Sequence, residues 1–392
     1  MLQPISAGIV GSIAGFATSF ALVIAGLQAV GATDAQASSG LLILCVTVGL
    51  ASIGFALVYR IPISIAWSTP GAALLVAAGQ NHANFAAAVG AFIVCGALII
   101  LCGLWPALGR LMTSIPKAIA SAMLAGILFP ICLAPVTAMF DYPLLALPII
   151  LAWLIILRLA PRWAVPSAML VAAIVIAVSA GGGWMQKAEL APQLAFVLPV
   201  FDPAVIVSLG LPLFIVTMAG QNVPGFVVMS TFGYETPARP VLVGTGVASV
   251  GGAIFGGHAI NLAAITAAIM ASPEADPDKS RRWIATLSAG VLYLLLGLGA
   301  GVATALVAAS PPILIIAVAG LAVVGALVTS ITGALEEPPH RIAAIATFLV
   351  TASGLTIAGI GSAFWGLVVG AIFMLWLGWG SRSTAENPEP AP

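Results

Sequence analysis

Long apolar stretches without a charged side chain constrain this chain more than any other feature of its sequence. Several of them approach the roughly 20 residues that a helix needs to cross the hydrocarbon core of a bilayer. Only 6% of the 392 residues are charged, whereas soluble domains average about 25%. The period-two alternation of a membrane β-barrel strand is missing from these stretches, so the sequence predicts an all-α polytopic membrane protein. The stretches span residues 5–30, 41–59, 85–108, 164–180 and 343–360.

Hydropathy averaged over windows of about 20 residues predicts about 14 transmembrane segments. If the N-terminus is cytoplasmic, all of the twelve Lys and Arg residues except Lys187 fall in inside loops. This asymmetry is the one expected of a protein of the cell (inner) membrane with both termini in the cytoplasm. The predicted segments lie near 5–31, 40–59, 62–79, 84–108, 115–133, 143–159, 164–182, 204–232, 239–256, 257–272, 283–308, 311–331, 341–358 and 361–380.

The two halves of the chain carry similar strings at corresponding positions. A Gln-Ala-Val-Gly string beginning at Gln28 ends segment 1, and a Gln-Asn-Val-Pro-Gly string beginning at Gln221 lies in segment 8, about half the chain away. Each string is followed by a segment rich in small residues and then by one that Gly or Pro interrupts. With an odd number of spans per half, this pattern predicts a 7+7 inverted repeat, as in many transporters. Shared apolar composition could also produce the match.

Segment 3 places a Ser-Thr-Pro-Gly string, beginning at Ser68, in the middle of an apolar run. The preceding residues 62–67 begin with Pro and are β-branched, which favours an extended backbone. Thr69 followed by Pro70 is typical of a helix N-cap and first helical residue. We therefore expect an extended stretch and then a half-helix from Thr69 to Gly79. The alternative is a continuous helix that Pro70 merely kinks.

Segment 10 has a similar interruption. A flexible Gly-Gly-His string ends at His258, and Asn261 is placed to cap a second half-helix that runs to about Met270. A helix that begins inside the membrane leaves N–H groups without partners, which hydrocarbon does not tolerate. Two such N-termini facing each other near the midplane would form a site for an anion, because the positive ends of the helix dipoles favour negative charge.

Three strings, AWSTPGAALL at 66–75, AGQNVPGFVVM at 219–229 and INLAAITAAI at 260–269, resemble the benzoate:proton symporter family. That family is related to the uracil/xanthine and sulfate permeases, and the resemblance covers nearly the whole chain. It implies a 7+7 inverted repeat in which a core domain slides against a gate domain, with the substrate held between segments 3 and 10. The implied divisions are the core at 1–109 and 203–309, the gate at 110–202 and 310–380, and a disordered tail at 381–392.

Backbone and side-chain donors around the two half-helices are the candidate substrate ligands. The amides of Gln221, Asn222 and Gln28 could add hydrogen bonds, although hydrogen bonds between helices would use the same groups. Trp67 and Phe226 could contact an aromatic ring, although aromatic residues in membrane spans usually serve packing. The candidate donors to a substrate carboxylate are Ser68, Thr69, Gly71, Asn261, Ala263 and Ala264.

His258 is the only ionisable side chain that this topology places at or near an interrupted segment. Histidine titrates near neutral pH, which suits a proton carrier. The alternatives are a neutral histidine bonded to a backbone carbonyl, or one at the outer surface. Related nucleobase permeases often carry an acidic residue in segment 8, where this chain has the neutral pair Gln221 and Asn222. The identity of the proton carrier is therefore open, and the substrate's own protonation or transient waters could serve instead.

The sequence predicts a secondary transporter for benzoate or a similar aromatic carboxylate, taken up with protons across the lipid bilayer. The alternatives are another anion or a nucleobase carried on the same fold, and a passive anion channel. A membrane enzyme would need clustered acid–base or metal-binding side chains within the spans, so no enzymatic activity, metal or cofactor is expected. The zero net charge argues against a nucleic-acid partner. A homodimer is a further option.

Overall fold

The computed structural model describes residues 2–79, 84–105, 107, 116–181 and 191–378. These residues form a bundle of helices around a short buried pair of antiparallel strands. The predicted disordered tail, the predicted domain boundary at 109–110 and Lys187 lie outside the described residues.

The bounds of the elements are as follows. The helices are α1 Leu2–Ala29, α2 Asp34–Tyr59, α3 Thr69–Ala78, α4 Phe85–Leu104, α5 Lys117–Asp141, α6 Pro143–Leu159, α7 Ala164–Ala180, α8 Pro203–Thr231, α9 Ala238–Ala253, α10 Ala264–Ala271, α11 Trp283–Gly297, α12 Ala300–Ala308, α13 Pro312–Leu335, α14 Arg341–Ala352 and α15 Ser362–Gly378. The strands are β1 Ile65–Trp67 and β2 Ile260–Leu262.

Within the described part of the chain, six helices are long and apolar enough to cross a membrane: α1, α2, α4, α5, α8 and α13. The pair α11 and α12 makes a seventh if it is counted as one span bent by 55°. The bend differs from the single segment predicted at 283–308. It arises because the N–H groups of Leu298 and Gly299 bond three residues back, to Leu295 and Leu296, and tighten the end of α11. The prediction of a helical multi-pass membrane protein is confirmed.

Small residues let several helices approach closely, as is usual where lipid replaces water and provides little hydrophobic drive. Between α2 and α11, a Cβ added at Gly49 would lie 2.8 Å from the Gly290 carbonyl oxygen. Between α4 and α9, a Cβ added at Gly246 would lie 2.9 Å from the Gly96 carbonyl oxygen. Helices α2, α8 and α9 pack directly on the strand pair, and β2 is fully buried.

A second group of helices packs together in the same way. Helix α5 lies along α13 and α14, and α14 lies along α15. A Cβ added at Gly333 of α13 would lie 3.4 Å from the Ser121 Cβ of α5, and one added at Gly126 of α5 would lie 2.6 Å from the Thr351 Cβ of α14. This group meets the first one mainly where α5 passes α3 and where α13 passes α1.

Candidate functional site

The strand pair determines where the two half-helices begin. Strands β1 and β2 pair antiparallel, and two further hydrogen bonds extend the ladder: Ser68 N–H donates to Ala259 O (2.9 Å) and Ala263 N–H to Ser64 O (2.8 Å). Helix α3 follows β1 and helix α10 follows β2, so the two helices leave opposite ends of the ladder. Ser64, which bonds the N-cap Ala263, lies four residue steps of extended backbone before the N-cap Ser68, so the two N-caps are about 13 Å apart along the strands.

The N-terminus of α3 is satisfied largely from within the protein. The N-cap is Ser68, whose Oγ accepts the Gly71 N–H at 3.1 Å. The prediction that Thr69 caps the helix is wrong by one residue. The Ser68 hydroxyl accepts the Gly71 N–H, and Thr69 is already the first helical residue. Pro70 contributes no N–H. The hydroxyl of Thr217 in α8 donates to the same Ser68 Oγ at 2.8 Å, so this cap is held from two sides.

The N-terminus of α10 has no such cap. Its N-cap residue is Ala263, which has no side-chain acceptor, and no other described side chain accepts from the first turn. The Thr266 hydroxyl lies 2.8 Å from the Ser64 hydroxyl and bonds there instead. The prediction that Asn261 caps this helix is wrong, because Asn261 belongs to β2 and lies two residues before the N-cap. The first-turn N–H groups of α10 therefore have no side-chain acceptor among the described residues.

Asn261 is fully buried in the middle of the strand pair, opposite Ala66. Neither its amide nitrogen nor its amide oxygen has a hydrogen-bond partner among the described residues. Leaving a buried polar group unsatisfied costs about 1–3 kcal/mol. Asn261 is therefore an unsatisfied buried amide two residues before the uncapped start of α10.

Asn222, in contrast, is already bonded on both sides. Its Oδ1 accepts the Leu262 N–H (2.9 Å) and its Nδ2 lies 3.3 Å from Met218 Sδ, and the residue is fully buried. On the same strand, Ile260 N–H donates to the Ser249 Oγ of α9 at 2.9 Å. These two side chains satisfy the outward N–H groups of β2, which would otherwise form an open strand edge.

A π-helical turn aims Asn222 at the strand. Helix α8 widens to i→i+5 hydrogen bonding over Met218–Asn222, directly before Pro224. Such turns occur often at functional sites. The backbone of α8 also passes close to β2, because a Cβ added at Gly225 would lie 2.8 Å from Leu262 Cγ. Gln221 and Phe226 on the same stretch are half-buried.

Gln28 lies away from the half-helix N-termini. Its amide donates to Asp34 Oδ1 at 2.8 Å, in the connection between α1 and α2. The neighbouring Ala29 lies against Gly79, which follows the C-terminal end of α3. The structure therefore brings Gln28 to the far end of the half-helix from Thr69.

Trp67 belongs to an aromatic cluster that the sequence did not reveal. Its Nε1 donates to the Ser19 Oγ of α1 at 2.9 Å, and the side chain is buried. Its ring makes edge contacts with Phe16 of α1 (5.9 Å) and Tyr293 of α11 (5.6 Å). Phe16 is half-buried, so it is the partly accessible ring beside the strand pair. No periodic or motif signal marks it in the sequence.

His258 is buried directly before the strand β2, at the end of the ladder from which α3 departs. Neither ring nitrogen has a partner within the described chain, and the ring meets Phe92 of α4 edge-on at 6.4 Å. No group of three or more His, Cys, Asp or Glu side chains with metal-binding geometry occurs in the part of the chain that the structure describes.

A small cavity lies elsewhere, between the C-terminal half of α3, the beginning of α8 and the connection from α14 to α15. It measures ≈ 20 Å³, enough for about one water. Leu74, Ser208 and Ser362 line it. This cavity does not include the N-termini of α3 or α10.

Discontinuous helices that begin inside a membrane bundle, with polar groups gathered at their N-termini, define a class of membrane transporters. The model of the family described as "Benzoate membrane transport protein" (BenE) matches residues 1–375 of this chain. The chain belongs to this family. It is therefore a membrane transporter and not an enzyme.

Two relatives and two solved structures illustrate the likeness. The chain is 42% identical over 367 residues to the inner membrane protein YdcO of Escherichia coli K12, covering 93% of each. It is 36% identical over 332 residues to the benzoate membrane transport protein of Acinetobacter baylyi, covering 83% of each. The transmembrane domain of the cyanobacterial bicarbonate transporter BicA matches with a TM-score of 0.60 at 16% identity, over 94% of this chain and 97% of that one. The murine anion transporter Slc26a9, inward-facing, matches with a TM-score of 0.58 at 14% identity, over 96% and 68%.

Proposed function

We propose that this protein takes up benzoate or a similar aromatic carboxylate together with protons across the cell (inner) membrane. The uncapped N-terminus of α10 beside the unpartnered amide of Asn261 carries the proposal. It offers backbone N–H groups, a favourable dipole end and a side-chain donor to one carboxylate, without a buried cation. The name of the family and of the Acinetobacter relative supports benzoate as the substrate.

The separation of the two helix ends refines the binding mode. Hydrogen bonds of about 2.9 Å to both oxygens of a carboxylate span at most about 8 Å, less than the distance of about 13 Å between the N-caps. The carboxylate therefore binds the first turn of α10, with Ala263, Ala264 and Asn261 around it. Thr69 and Gly71 at the other end of the ladder lie within reach of the aromatic ring or its substituents. Half-buried Gln221 is the remaining polar side chain that we assign to this site.

Asn222 and Ser68 support this site rather than bind the substrate. Their polar atoms are bonded to Leu262 N–H and to Gly71 N–H, so they hold the strand and the half-helix in place. Trp67 is likewise held by Ser19 within the protein. Phe226 stays a candidate for contact with the substrate ring, and so does Phe16.

The domain division and the alternating-access mechanism complete the proposal. The described helices fit 14 segments if β1 with α3, β2 with α10, and α11 with α12 each count as one. The matching strand-then-helix units in the two halves support a 7+7 inverted repeat. The helices packed around the strand pair form the core (1–109 and 203–309), and α5 to α7 with α13 to α15 form the gate (110–202 and 310–380). In this mechanism the core slides against the gate with both termini in the cytoplasm.

The energetics of a lone anion favour coupling to protons. Moving one negative charge inward against the membrane potential costs about 2.3 kcal/mol per 100 mV. One accompanying proton removes this cost, because the net charge that crosses the membrane is then zero. Buried His258 is the candidate proton carrier, and protonation of the substrate carboxylate or of transient waters is the alternative. A His258→Gln variant that still accumulates benzoate under a proton gradient would exclude His258 as the required proton carrier.

Uptake of radiolabelled benzoate by proteoliposomes tests the function directly. We expect accumulation above that of empty vesicles when the outside is made acidic, and its collapse on adding a protonophore. Uptake of labelled sulfate and uracil is measured in the same way to separate the other substrate classes. For a sulfate or nucleobase carrier, the unlabelled form of its own substrate would inhibit that uptake and unlabelled benzoate would not. Equilibration without accumulation would indicate a passive channel, and folded protein without benzoate uptake would contradict the proposal.

A further inference from the structure

A buried arginine closes the opposite end of the half-helix α10. Arg282 is 7% exposed, and its guanidinium donates to three backbone carbonyl oxygens. The acceptors are Ala271 O, at the last residue of α10 (2.7 Å), Asp276 O (2.7 Å) and Pro277 O (3.5 Å). A cation at the C-terminus of a helix interacts favourably with its dipole. Arg282 therefore fixes the C-terminal end of the helix whose other end is the free anion site.

The charge of Arg282 has no direct counter-ion in the described chain. No described carboxylate oxygen lies within 4 Å of its guanidinium, and the three ion pairs that occur are elsewhere. Hydrogen bonds from the Ser280 hydroxyl and N–H hold the pKa of Asp278 below its usual value, and this carboxylate pairs with Arg281 at 3.3 Å. The Asp276 carboxylate accepts the Asp278 N–H. The positive charge of Arg282 is thus only partly offset by its surroundings.

We propose that Arg282 is a positioning residue for anion binding, which acts through α10 to raise the positive potential at the N-terminus of that helix. Helix α10 has 8 residues, a length of about 12 Å. The dipole of α10 places partial positive charge at its N-terminus and partial negative charge at its C-terminus. The guanidinium offsets the negative charge at the C-terminus, which would otherwise lower the positive potential at the N-terminus. This inference rests on the proposed function, since it concerns the anion bound at that N-terminus. According to this inference, Arg282, which lies outside the site, contributes to the preference for a charged substrate.

The expected size of the effect follows from Coulomb's law. A unit charge about 15 Å from the anion, at the effective dielectric constant of about 20 that suits protein sites, changes the dissociation constant about sixfold. We therefore expect removal of the charge to raise the dissociation constant for a carboxylate about three- to tenfold.

The test compares charged and neutral ligands on purified protein in detergent. Arg282→Gln removes the charge and keeps an amide donor for one carbonyl, and Arg281→Gln next to it is the matched control because Arg281 is exposed and ion-paired. Dissociation constants are measured for benzoate and for its neutral analogue benzamide. We expect Arg282→Gln to weaken benzoate three- to tenfold and benzamide less than twofold, and Arg281→Gln to change neither beyond twofold. Arg282→Lys keeps the charge but loses the planar guanidinium that bonds three carbonyl oxygens. Its dissociation constant for benzoate should be within about twofold of the wild-type value.

Each outcome decides the question. Equal weakening of benzoate and benzamide by Arg282→Gln would show a purely structural role and overturn the inference, as would unchanged benzoate binding. If Arg282→Gln does not fold, Arg282→Lys still decides, because a purely geometric role would weaken benzoate and benzamide alike in that variant. Wild-type protein that binds no benzoate would instead contradict the proposed function, and the inference with it.

Discussion

At the scale of single residues, the polar side chains of this protein divide into those that support the strand pair and those left free beside it. Asn222 belongs to the first group, because its amide bonds Leu262 N–H and Met218 Sδ and is fully buried. Asn261 belongs to the second, because its amide has no partner in the described chain. The same residue type is therefore fully bonded at one position and unbonded at the other.

Replacing Asn222 by Leu tests its supporting role. The substitution keeps similar volume but leaves the Leu262 N–H without an acceptor, which is expected to lower the free energy of unfolding by about 1–3 kcal/mol. The measurement is the unfolding temperature of the detergent-purified protein, with Gln221→Leu as the adjacent control that touches no β2 hydrogen bond. Equal unfolding temperatures for the two variants would show that Asn222 does not stabilise the strand pair.

Sequence reasoning located these residues but not their partners. The Ser-Thr-Pro-Gly string predicted the break of segment 3 to within one residue, because caps and Pro act locally. The partner of Asn222 is 40 residues away in the chain, and the hydroxyls of Thr217 and Ser249 carry no local signal. Hydrogen bonds between segments follow from packing, so a single sequence could not assign them.

At the scale of elements, the two half-helices are alike in position but differ at their N-caps. Ser68 caps α3 with its side chain, whereas Ala263 leaves α10 uncapped. The sequence predicted that both elements exist, because Gly, Pro and the β-branched stretch mark them. It assigned the second cap to Asn261, since Asn is a frequent N-cap residue, and the pairing of that residue into β2 could not be foreseen.

Adding a cap to α10 should separate stability from binding. In Ala263→Ser, the new hydroxyl can accept a first-turn N–H, as Ser68 does in α3, which is expected to stabilise the helix by about 0.5–2 kcal/mol. The same N–H is then no longer free for a substrate, so benzoate should bind more weakly while the unfolding temperature rises. Ala268→Ser, beyond the first turn of the same helix, is the control and should change neither quantity. Tighter benzoate binding by Ala263→Ser would contradict the placement of the carboxylate.

At the scale of the whole molecule, composition settled the class of the protein and packing settled its arrangement. The apolar runs predicted a helical membrane protein, because a chain with 6% charged residues cannot cover a water-soluble surface. They could not predict which helices lie side by side. Close approaches such as Gly49 with Gly290 join positions 241 residues apart, the difference of the two numbers. A single sequence gives no information on such pairs.

Tying the proposed core to the proposed gate tests whether the two move against each other. A Cβ added at Gly220 of α8 would lie 3.5 Å from Leu124 Cδ2 of α5, so cysteines at these two positions are within reach of a short, reducible thiol cross-linker. The partly exposed native Cys132 is first replaced by Ser. Because uptake requires the core to slide past the gate, we expect cross-linking to abolish benzoate uptake in proteoliposomes, and reduction to restore it.

The control pair lies within the proposed gate, where a cross-link joins parts that move together. A Cβ added at Gly333 lies 3.4 Å from the Ser121 Cβ, so the Gly333→Cys, Ser121→Cys pair should form a disulfide and leave uptake within about twofold of its reduced state. The two pairs share α5, which removes any general effect of modifying that helix. Loss of uptake with both pairs would mean that α5 and α13 also move relative to each other. Continued uptake with the Gly220–Leu124 link fully formed would contradict sliding of the core against the gate, because substrate would cross while the two are joined.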